Sequence, residues 1–142
     1  MSIASDVGFR MPSVWLAEGH SRVAPVYLYR FDYATPIMKV LLVGAAHATE
    51  LPYVWGTLGA PKDVTLKLGG TKSAKAVSKR IRERWVNFAA TSTPTGLAGE
   101  PEWPPYGEPE RSCLIIDNAD RIVQDADEKI RKTWGSDILH FR

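Results

Sequence analysis

The chain carries, at residues 44–56, the segment Gly44-Ala45-Ala46-His47-Ala48-Thr49-Glu50-Leu51-Pro52-Tyr53-Val54-Trp55-Gly56. His47 stands among small residues, which leave room for a substrate to approach the imidazole ring. The residues after it predict the start of a helix, since proline is tolerated in a first helical turn. Imidazole suits a general base because its reference pKa, about 6.5, lies near working pH. The segment therefore predicts a loop that presents His47 for proton transfer, ahead of a helix.

The sequence around this segment predicts a mixture of strands and helices. Residues 26–31 are β-branched and aromatic with little polar alternation, which indicates a strand buried on both faces. Residues 34–43 form a connector, and the glycines and prolines of 56–70 indicate a surface loop. The remaining predicted elements are a helix over about 10–22, a helix capped by Ser73 and ending near Ala90, a proline-rich loop over 91–109, a strand over 112–116 and a terminal helix over 127–134.

The long central helix carries both an apolar stripe and many cations. Val77, Ile81, Trp85 and Phe88 follow one another at spacings of four, four and three, which predicts a core-facing side. The cations of the helix are Lys72, Lys75, Lys79, Arg80, Arg82 and Arg84. We expect them to form a solvated face rather than a nucleic-acid site. Trp103 and Tyr106, in the proline-rich loop, are expected to pack in the core.

Composition limits the class of protein. With 44% hydrophobic and 24% charged residues, the chain is neither disordered nor membrane-like, and its 142 residues suit one domain. A net charge of +2 is too small to indicate a nucleic-acid or membrane-surface partner. The lone Cys113 has no internal disulfide partner, so a buried thiol in a reducing compartment is expected. We expect a cytoplasmic protein, with secretion left open for a longer gene product that begins before Met1.

Several short blocks have the order and spacing of a known family. They are Asp6-Val7-Gly8-Phe9-Arg10-Met11-Pro12-Ser13 with Leu16-Ala17-Glu18, Pro25-Val26-Tyr27-Leu28-Tyr29-Arg30-Phe31-Asp32-Tyr33, the His47 segment, Arg84-Trp85-Val86-Asn87-Phe88-Ala89, Glu102-Trp103-Pro104-Pro105-Tyr106 and Leu114-Ile115-Ile116-Asp117. On these blocks, residues 1–142 resemble the C-terminal segment of type-B carboxylesterases, the cholinesterase and carboxylesterase family of α/β-hydrolases.

The resemblance implies a fold, a reaction and a set of site residues. The fold is α/β, the C-terminal part of an α/β-hydrolase: the last strands of the central sheet with their packing helices, incomplete alone. The reaction is hydrolysis of carboxylic esters through an acyl-enzyme, with His47 as general base and Glu50 as a supporting residue. Tyr53 and Trp55 either line the substrate pocket or turn to the core. No cofactor is implied, and a metal is not expected because His47 and Glu50 lack a third ligand.

The serine nucleophile expected for this reaction is not among the 142 residues, because no Gly-x-Ser-x-Gly occurs in them. In the family the serine, the acid and the oxyanion hole all precede the matching region, so we expect the chain alone to be inactive. His20 and His140 match no block and are expected at the surface or at helix ends.

Three hypotheses remain open. The chain is a truncated esterase remnant, one half of a split esterase, or a binding module that reuses the fold without catalysis. The expected partners are an ester substrate if the enzyme is complete, and an N-terminal esterase chain or a second copy joined through the exposed apolar strand edge. Neither a nucleic acid nor a membrane is expected.

Overall fold

The computed structural model describes residues 6–41, 48–59, 66 and 69–135. A single π-helical turn, Asp6–Arg10, precedes the other elements. These are α1 (Met11–His20), β1 (Leu28–Phe31), α2 (Pro36–Val40), α3 (Leu51–Trp55), α4 (Thr71–Thr91), β2 (Ser112–Ile116), β3 (Arg121–Gln124) and α5 (Glu128–Trp134). The chain divides into two compact units. Unit 1 comprises Met1–Leu28, Pro104–Cys113 and Val123–Arg142, and unit 2 comprises Tyr29–Trp103 and Leu114–Ile122.

The three strands form one mixed sheet in the order β1-β2-β3. The amides of Asp32 and Tyr33 both donate to the carbonyl of Ile116, at 2.9 and 3.1 Å, so β1 and β2 end together and run parallel. A turn over 117–120 joins β2 to β3, and a connection this short produces an antiparallel hairpin. β2 matches the predicted strand and is buried throughout, including Cys113. β1 is shorter than predicted and only half-buried, and within the described sheet it pairs with β2 alone.

In unit 1, α1 confirms the first predicted helix. Pro12 lies in its first turn, and Met11, Val14 and Ala17 are buried. The indole nitrogen of Trp15 donates to the carbonyl of Gly135 at 3.2 Å, which holds α1 to the end of α5.

Charged side chains join the same parts of unit 1. Arg10 forms an ion pair with Asp127, and the guanidinium of Arg111 donates to Glu18 at 3.0 Å. Tyr106 is buried, as predicted, and burial first, then the charge of Glu18, raises its pKa to about 12.

In unit 2, the predicted core stripe of the long helix is half wrong. Val77 and Ile81 are buried, but Trp85 and Phe88 are 46% and 45% exposed. Arg84, predicted on the solvated face, is 1% exposed. The guanidinium of Arg84 donates to the carbonyls of Pro94 and Pro101 at 3.1 and 2.9 Å, and pairs with Glu100 at 3.3 Å. Burial of this cation is thus compensated by oxygen atoms of the proline-rich loop.

Arg80 is the second cation of α4 with a structural role. Its guanidinium donates to the carboxylate of Asp120, at 3.0 and 3.2 Å, and to the carbonyl of Asp117, at 2.6 Å. It also donates to the carbonyl of Asn118 at 3.5 Å. Arg80 therefore fixes the turn between β2 and β3 to α4.

Local signals near α2 and α4 account for the other differences. The connector over 34–43 contains α2, which Thr35 caps by accepting a bond from the amide of Met38 at 3.5 Å. Gly70, at φ +85°, is the N-cap of α4 in place of Ser73. The hydroxyl of Ser73 instead donates to the Gly70 carbonyl and shares a 2.9 Å hydrogen bond with the Tyr33 hydroxyl. α5 confirms the terminal helix, and β3 was not predicted.

Among the described residues, none of the helices combines the length and the apolar character that a membrane crossing requires.

Candidate functional site

His47, the predicted general base, lies outside the described residues, as does His140. The description of this region resumes at Ala48, the next residue, whose φ of +64° lies in the left-handed region. L-residues with a β-carbon rarely adopt this conformation, and it persists where the surrounding structure requires it. A turn over 48–50 then leads into α3, so the predicted helix start is confirmed at Leu51.

The helix that follows the His47 loop is fixed from two sides within unit 2. The ring of Tyr53 packs on the rings of Phe31 and Tyr33, with centroids 5.1 and 5.5 Å away. The carbonyl of Tyr53 accepts a buried hydrogen bond of 2.7 Å from the hydroxyl of Ser78 on α4. α3 is only five residues long, so these contacts, rather than its own backbone bonds, hold it in place.

The end of α3 is a second fixed point. Gly56 caps the helix at φ +68°, a conformation that glycine adopts without steric cost. A β-carbon added to Gly56 would lie 2.8 Å from Nη1 of Arg82, so the guanidinium of Arg82 lies directly on this turn. The backbone at the end of α3 is thus in contact with the Arg82 side chain of α4.

Glu50, the predicted supporting residue, is half-buried at the N-cap of α3, and its side chain makes no capping hydrogen bond. Its negative charge acts on the ionisation of Tyr29 on β1. Burial first, and then the negative charge of Glu50, raises the pKa of Tyr29 to about 12. Tyr29 also makes edge contacts with the rings of Trp85 and Trp103, at 6.5 and 6.0 Å between centroids. A tyrosine beside Glu50 was not predicted from the sequence, since no local pattern links β1 to residue 50.

The two predicted pocket residues lie in different environments. Tyr53 is 5% exposed in the aromatic cluster with Phe31 and Tyr33, whereas Trp55 is 72% exposed. Of the alternatives left open for these residues, Tyr53 turns to the core of unit 2.

Unit 1 has an open groove of about 450 Å³ beside α1. It is lined by Ser13, Leu16, Ala17, His20, Val26 and Leu28. His20 is exposed at the last position of α1, as predicted. The hydroxyl of Ser13 donates at 2.8 Å to the carbonyl of Phe9, in the π-helical turn before α1, so it bonds to the backbone rather than to an imidazole. The lining is predominantly apolar and has no arrangement suited to nucleophilic catalysis.

Over the described ranges of the chain, no three side chains of the types that ligate metals come together.

Two comparisons of sequence identify what the chain is similar to. A family model described as "Carboxylesterase family" matches residues 1–134. The para-nitrobenzyl esterase of Bacillus subtilis (strain 168) is 36% identical over 136 residues, which cover 93% of this chain and 26% of that protein. Carboxylesterase 5A of Felis catus is 30% identical over 143 residues, covering 98% of this chain and 26% of that protein. The chain thus spans about a quarter of the length of these relatives.

The solved structures give the same result. A PNB esterase superimposes with a TM-score of 0.79 at 34% identity, covering 90% of this chain and 25% of that chain. A carboxylesterase from Geobacillus stearothermophilus superimposes with a TM-score of 0.69 at 30% identity, covering 84% of this chain and 24% of that chain. The three-stranded mixed sheet with its helices is therefore part of the larger fold that these proteins share.

Proposed function

The chain belongs to the carboxylesterase family, and we propose that it is the C-terminal portion of a serine carboxylesterase in which His47 is the general base. The resemblance that the sequence blocks indicated, and the partial α/β-hydrolase fold, are thereby confirmed. The observation that supports the proposal most is the match of residues 1–134 to about a quarter of each relative, in a chain without a Gly-x-Ser-x-Gly segment.

The proposed reaction has two stages. A serine outside these 142 residues attacks the ester carbonyl while the His47 ring takes its proton, and the same ring then returns this proton to the leaving alkoxide. Water next attacks the acyl-enzyme in the same way, which releases the acid and restores the serine. A carboxylate that orients the ring and the backbone donors of the oxyanion hole are also supplied from outside this chain.

The described residues support this role because they fix the position of α3, the helix that follows His47. Because Tyr53 is bonded to Ser78 and Gly56 lies against Arg82, α3 is an anchored segment that starts four residues after His47. Loops that carry catalytic residues depend on rigid neighbouring elements for their geometry. Glu50 keeps the supporting role that the family blocks imply; it is the N-cap of α3, and its negative charge contributes to the raised pKa of Tyr29. Of the two pocket candidates, Trp55 is the one whose side chain is exposed.

For the isolated chain we propose no esterase activity above that of the buffer. Removing the serine or the histidine from a triad reduces kcat by a factor on the order of a million. The first test is hydrolysis of a short-chain 4-nitrophenyl ester by the purified chain beside its His47→Ala variant. Equal rates, both at background, are expected. A rate that His47→Ala abolishes would show a working site within these residues, and the proposed division of the triad would be wrong.

The second test concerns the missing serine. A fluorophosphonate probe, which labels activated serines, is applied to protein purified from the native source, with this chain captured through a tag. We expect a labelled serine, either in a separate chain or in a longer polypeptide that contains residues 1–142. Labelling and ester hydrolysis should both fall when the tagged chain carries His47→Ala. The matched control is His20→Ala, an exposed histidine outside the family blocks, which should leave both unchanged. Full labelling without a functional His47, or no labelled serine, would overturn the proposal in favour of a remnant or a binding module.

A further inference from the structure

The six cations of α4 fall into two groups that the sequence does not separate. Arg80 and Arg84 bind carbonyl and carboxylate oxygens of unit 2. The other four, Lys72, Lys75, Lys79 and Arg82, are exposed, and over the described part of the chain none of them pairs with a carboxylate. We call these four side chains the basic face.

The basic face is continuous and of a single sign. Its members are spaced by three, four and three residues, which places them on one side of the helix along about 15 Å of its length. Glu83 is the sole acidic residue in the sequence of α4. Solvated faces usually mix charges of both signs, so four adjacent cations without acidic partners produce a locally positive potential. The net charge of the whole chain, +2, does not reveal that four cations are grouped on one side of α4.

Exposed apolar side chains flank the end of the basic face. Arg82 lies on Gly56, the residue after Trp55, which is 72% exposed. Leu51, one turn earlier on α3, is 46% exposed. Val86, one turn after Arg82 on α4, is 65% exposed. The surface thus combines a row of cations with tryptophan and aliphatic side chains at one end.

We propose that the basic face, with Trp55 and Leu51, binds the surface of a membrane that contains anionic phospholipids. The cations complement the phosphate and carboxylate charges of the headgroups, and each cation near such a surface contributes about 1 kcal/mol. Tryptophan and leucine enter the boundary between headgroups and acyl chains, where amphipathic surfaces bind. A single-stranded nucleic acid also combines negative charge with stacking on aromatic rings, but Leu51 and Val86 offer no face on which a base stacks. The composition of the surface therefore favours lipid. This inference shares Trp55 with the proposed function but does not depend on its chemistry, since it involves neither His47 nor a serine.

The test is co-sedimentation of the full chain with vesicles of mixed phosphatidylserine and phosphatidylcholine, beside vesicles of phosphatidylcholine alone. We expect binding to the mixed vesicles only, and loss of that binding at high salt because screening weakens exposed charges. A variant with Lys72→Gln, Lys75→Gln, Lys79→Gln and Arg82→Gln should bind about 100-fold more weakly or worse, since each cation accounts for about a five-fold change.

The matched control removes the same number of charges elsewhere. Arg22→Gln, Arg121→Gln, Lys129→Gln and Lys132→Gln also change the net charge from +2 to −2, a difference of four, through exposed cations on other parts of the chain. This control should lose less than about ten-fold, since distant charges are screened. Equal loss in the two variants would overturn the proposal, because net charge alone would then explain the binding. Circular dichroism of both variants shows whether weaker binding results from the removed charges or from unfolding of the chain.

Three further outcomes would contradict part or all of the assignment. Trp55→Ala should weaken vesicle binding, and unchanged binding would remove Trp55 from the site. Tighter binding of a single-stranded DNA oligonucleotide than of the mixed vesicles would identify a nucleic acid as the partner and overturn the lipid proposal. Absence of any binding to the mixed vesicles at low salt would overturn it outright.

Discussion

The hydroxyl of Ser78, on α4, donates a 2.7 Å hydrogen bond to the carbonyl of Tyr53, on α3, in a part of unit 2 where both groups are buried. This one bond joins the segment that follows His47 to the longest helix of the chain. Its position within the apolar stripe of α4 explains why a serine occurs between Val77 and Ile81. A valine there would complete the stripe but would leave the Tyr53 carbonyl without a donor.

Ser78→Ala is expected to lower the free energy of unfolding by about 1–3 kcal/mol, because the buried carbonyl of Tyr53 loses its donor. Urea denaturation measures this change. Ser13→Ala is the matched control, because the Ser13 hydroxyl makes an exposed bond to the carbonyl of Phe9 in the turn before α1. Its removal should change the free energy of unfolding by no more than about 0.5 kcal/mol. Equal effects of the two substitutions would show that the Ser78 bond does not fix α3.

Gly70→Ala should destabilise the chain more than Gly69→Ala, although both glycines have positive φ, +85° and +103°. The left-handed conformation costs each alanine about 1–2 kcal/mol. A β-carbon at Gly70 would also lie 2.6 Å from Cδ of Pro36, whereas at Gly69 it would meet nothing within 4 Å. Because the proline ring is rigid, overpacking adds about 1–3 kcal/mol at Gly70. Pro36→Ala should recover part of this added loss, and additive effects in the double variant would contradict the clash.

Arg84→Met should cost about 1.5–3 kcal/mol of unfolding free energy, because Glu100 loses one of its two cations and keeps only Arg80, at 3.6 Å. The carbonyls of Pro94 and Pro101 also lose their donor. Lys79→Met, five residues earlier on α4 and exposed, should change the stability by no more than about 0.5 kcal/mol. Adding Glu100→Gln to Arg84→Met should restore part of the loss. If it restored nothing, packing of the arginine rather than its charge would explain the effect.

Tyr29 should titrate far above an ordinary tyrosine. Its pKa is raised from 10.0 to about 12, by burial first and by Glu50 second. The folded chain therefore keeps the phenol proton where the unfolded chain has released it. The stabilising contribution of Tyr29 is complete below pH 10.0 and is lost as the pH rises towards 12.

The ultraviolet absorbance of tyrosinate measures this titration, and Tyr29→Phe identifies the signal. Glu50→Gln should lower the pKa of Tyr29 but leave it above 10.0, because burial remains. Tyr106 is the internal control. Burial and then other charges, Glu18 first among them, raise its pKa, so Glu50→Gln should leave the pKa of Tyr106 unchanged. An unchanged pKa of Tyr29 in this variant would place the charge of Glu50 away from β1.

Sequence patterns predicted the elements whose signals are local. The strand at Ser112–Ile116 and the helix that ends at Trp134 follow from runs of apolar residues and from periodicity. Arg84 and Trp85 exchanged their predicted roles, because the oxygens that compensate a buried guanidinium lie ten and seventeen residues along the chain. β3 has only four residues and pairs through a hairpin, which leaves too little pattern to recognise.

The candidate site was predicted in part. Helix formation directly after the His47 loop followed from Pro52 and the apolar residues around it. The proximity of Glu50 and Tyr29 did not follow, since it arises from the packing of α3 near β1. The role of His47 itself stays a prediction, as it lies outside the described residues.

The hydrogen bonds from Arg80 to the turn over 117–120 have a consequence for protein engineering. Of the four residues of the turn, Asp117 and Asn118 are contacted through their carbonyl oxygens, and Asp120 alone through its carboxylate. Main-chain oxygens are the same for every amino acid, so Arg80 accepts wide variation at Asn118 and Ala119 while requiring an acid at position 120. A randomised library or a short affinity tag placed at 118–119 would thus lie on a turn whose two ends stay bound to Arg80, which makes this hairpin a suitable insertion point in unit 2.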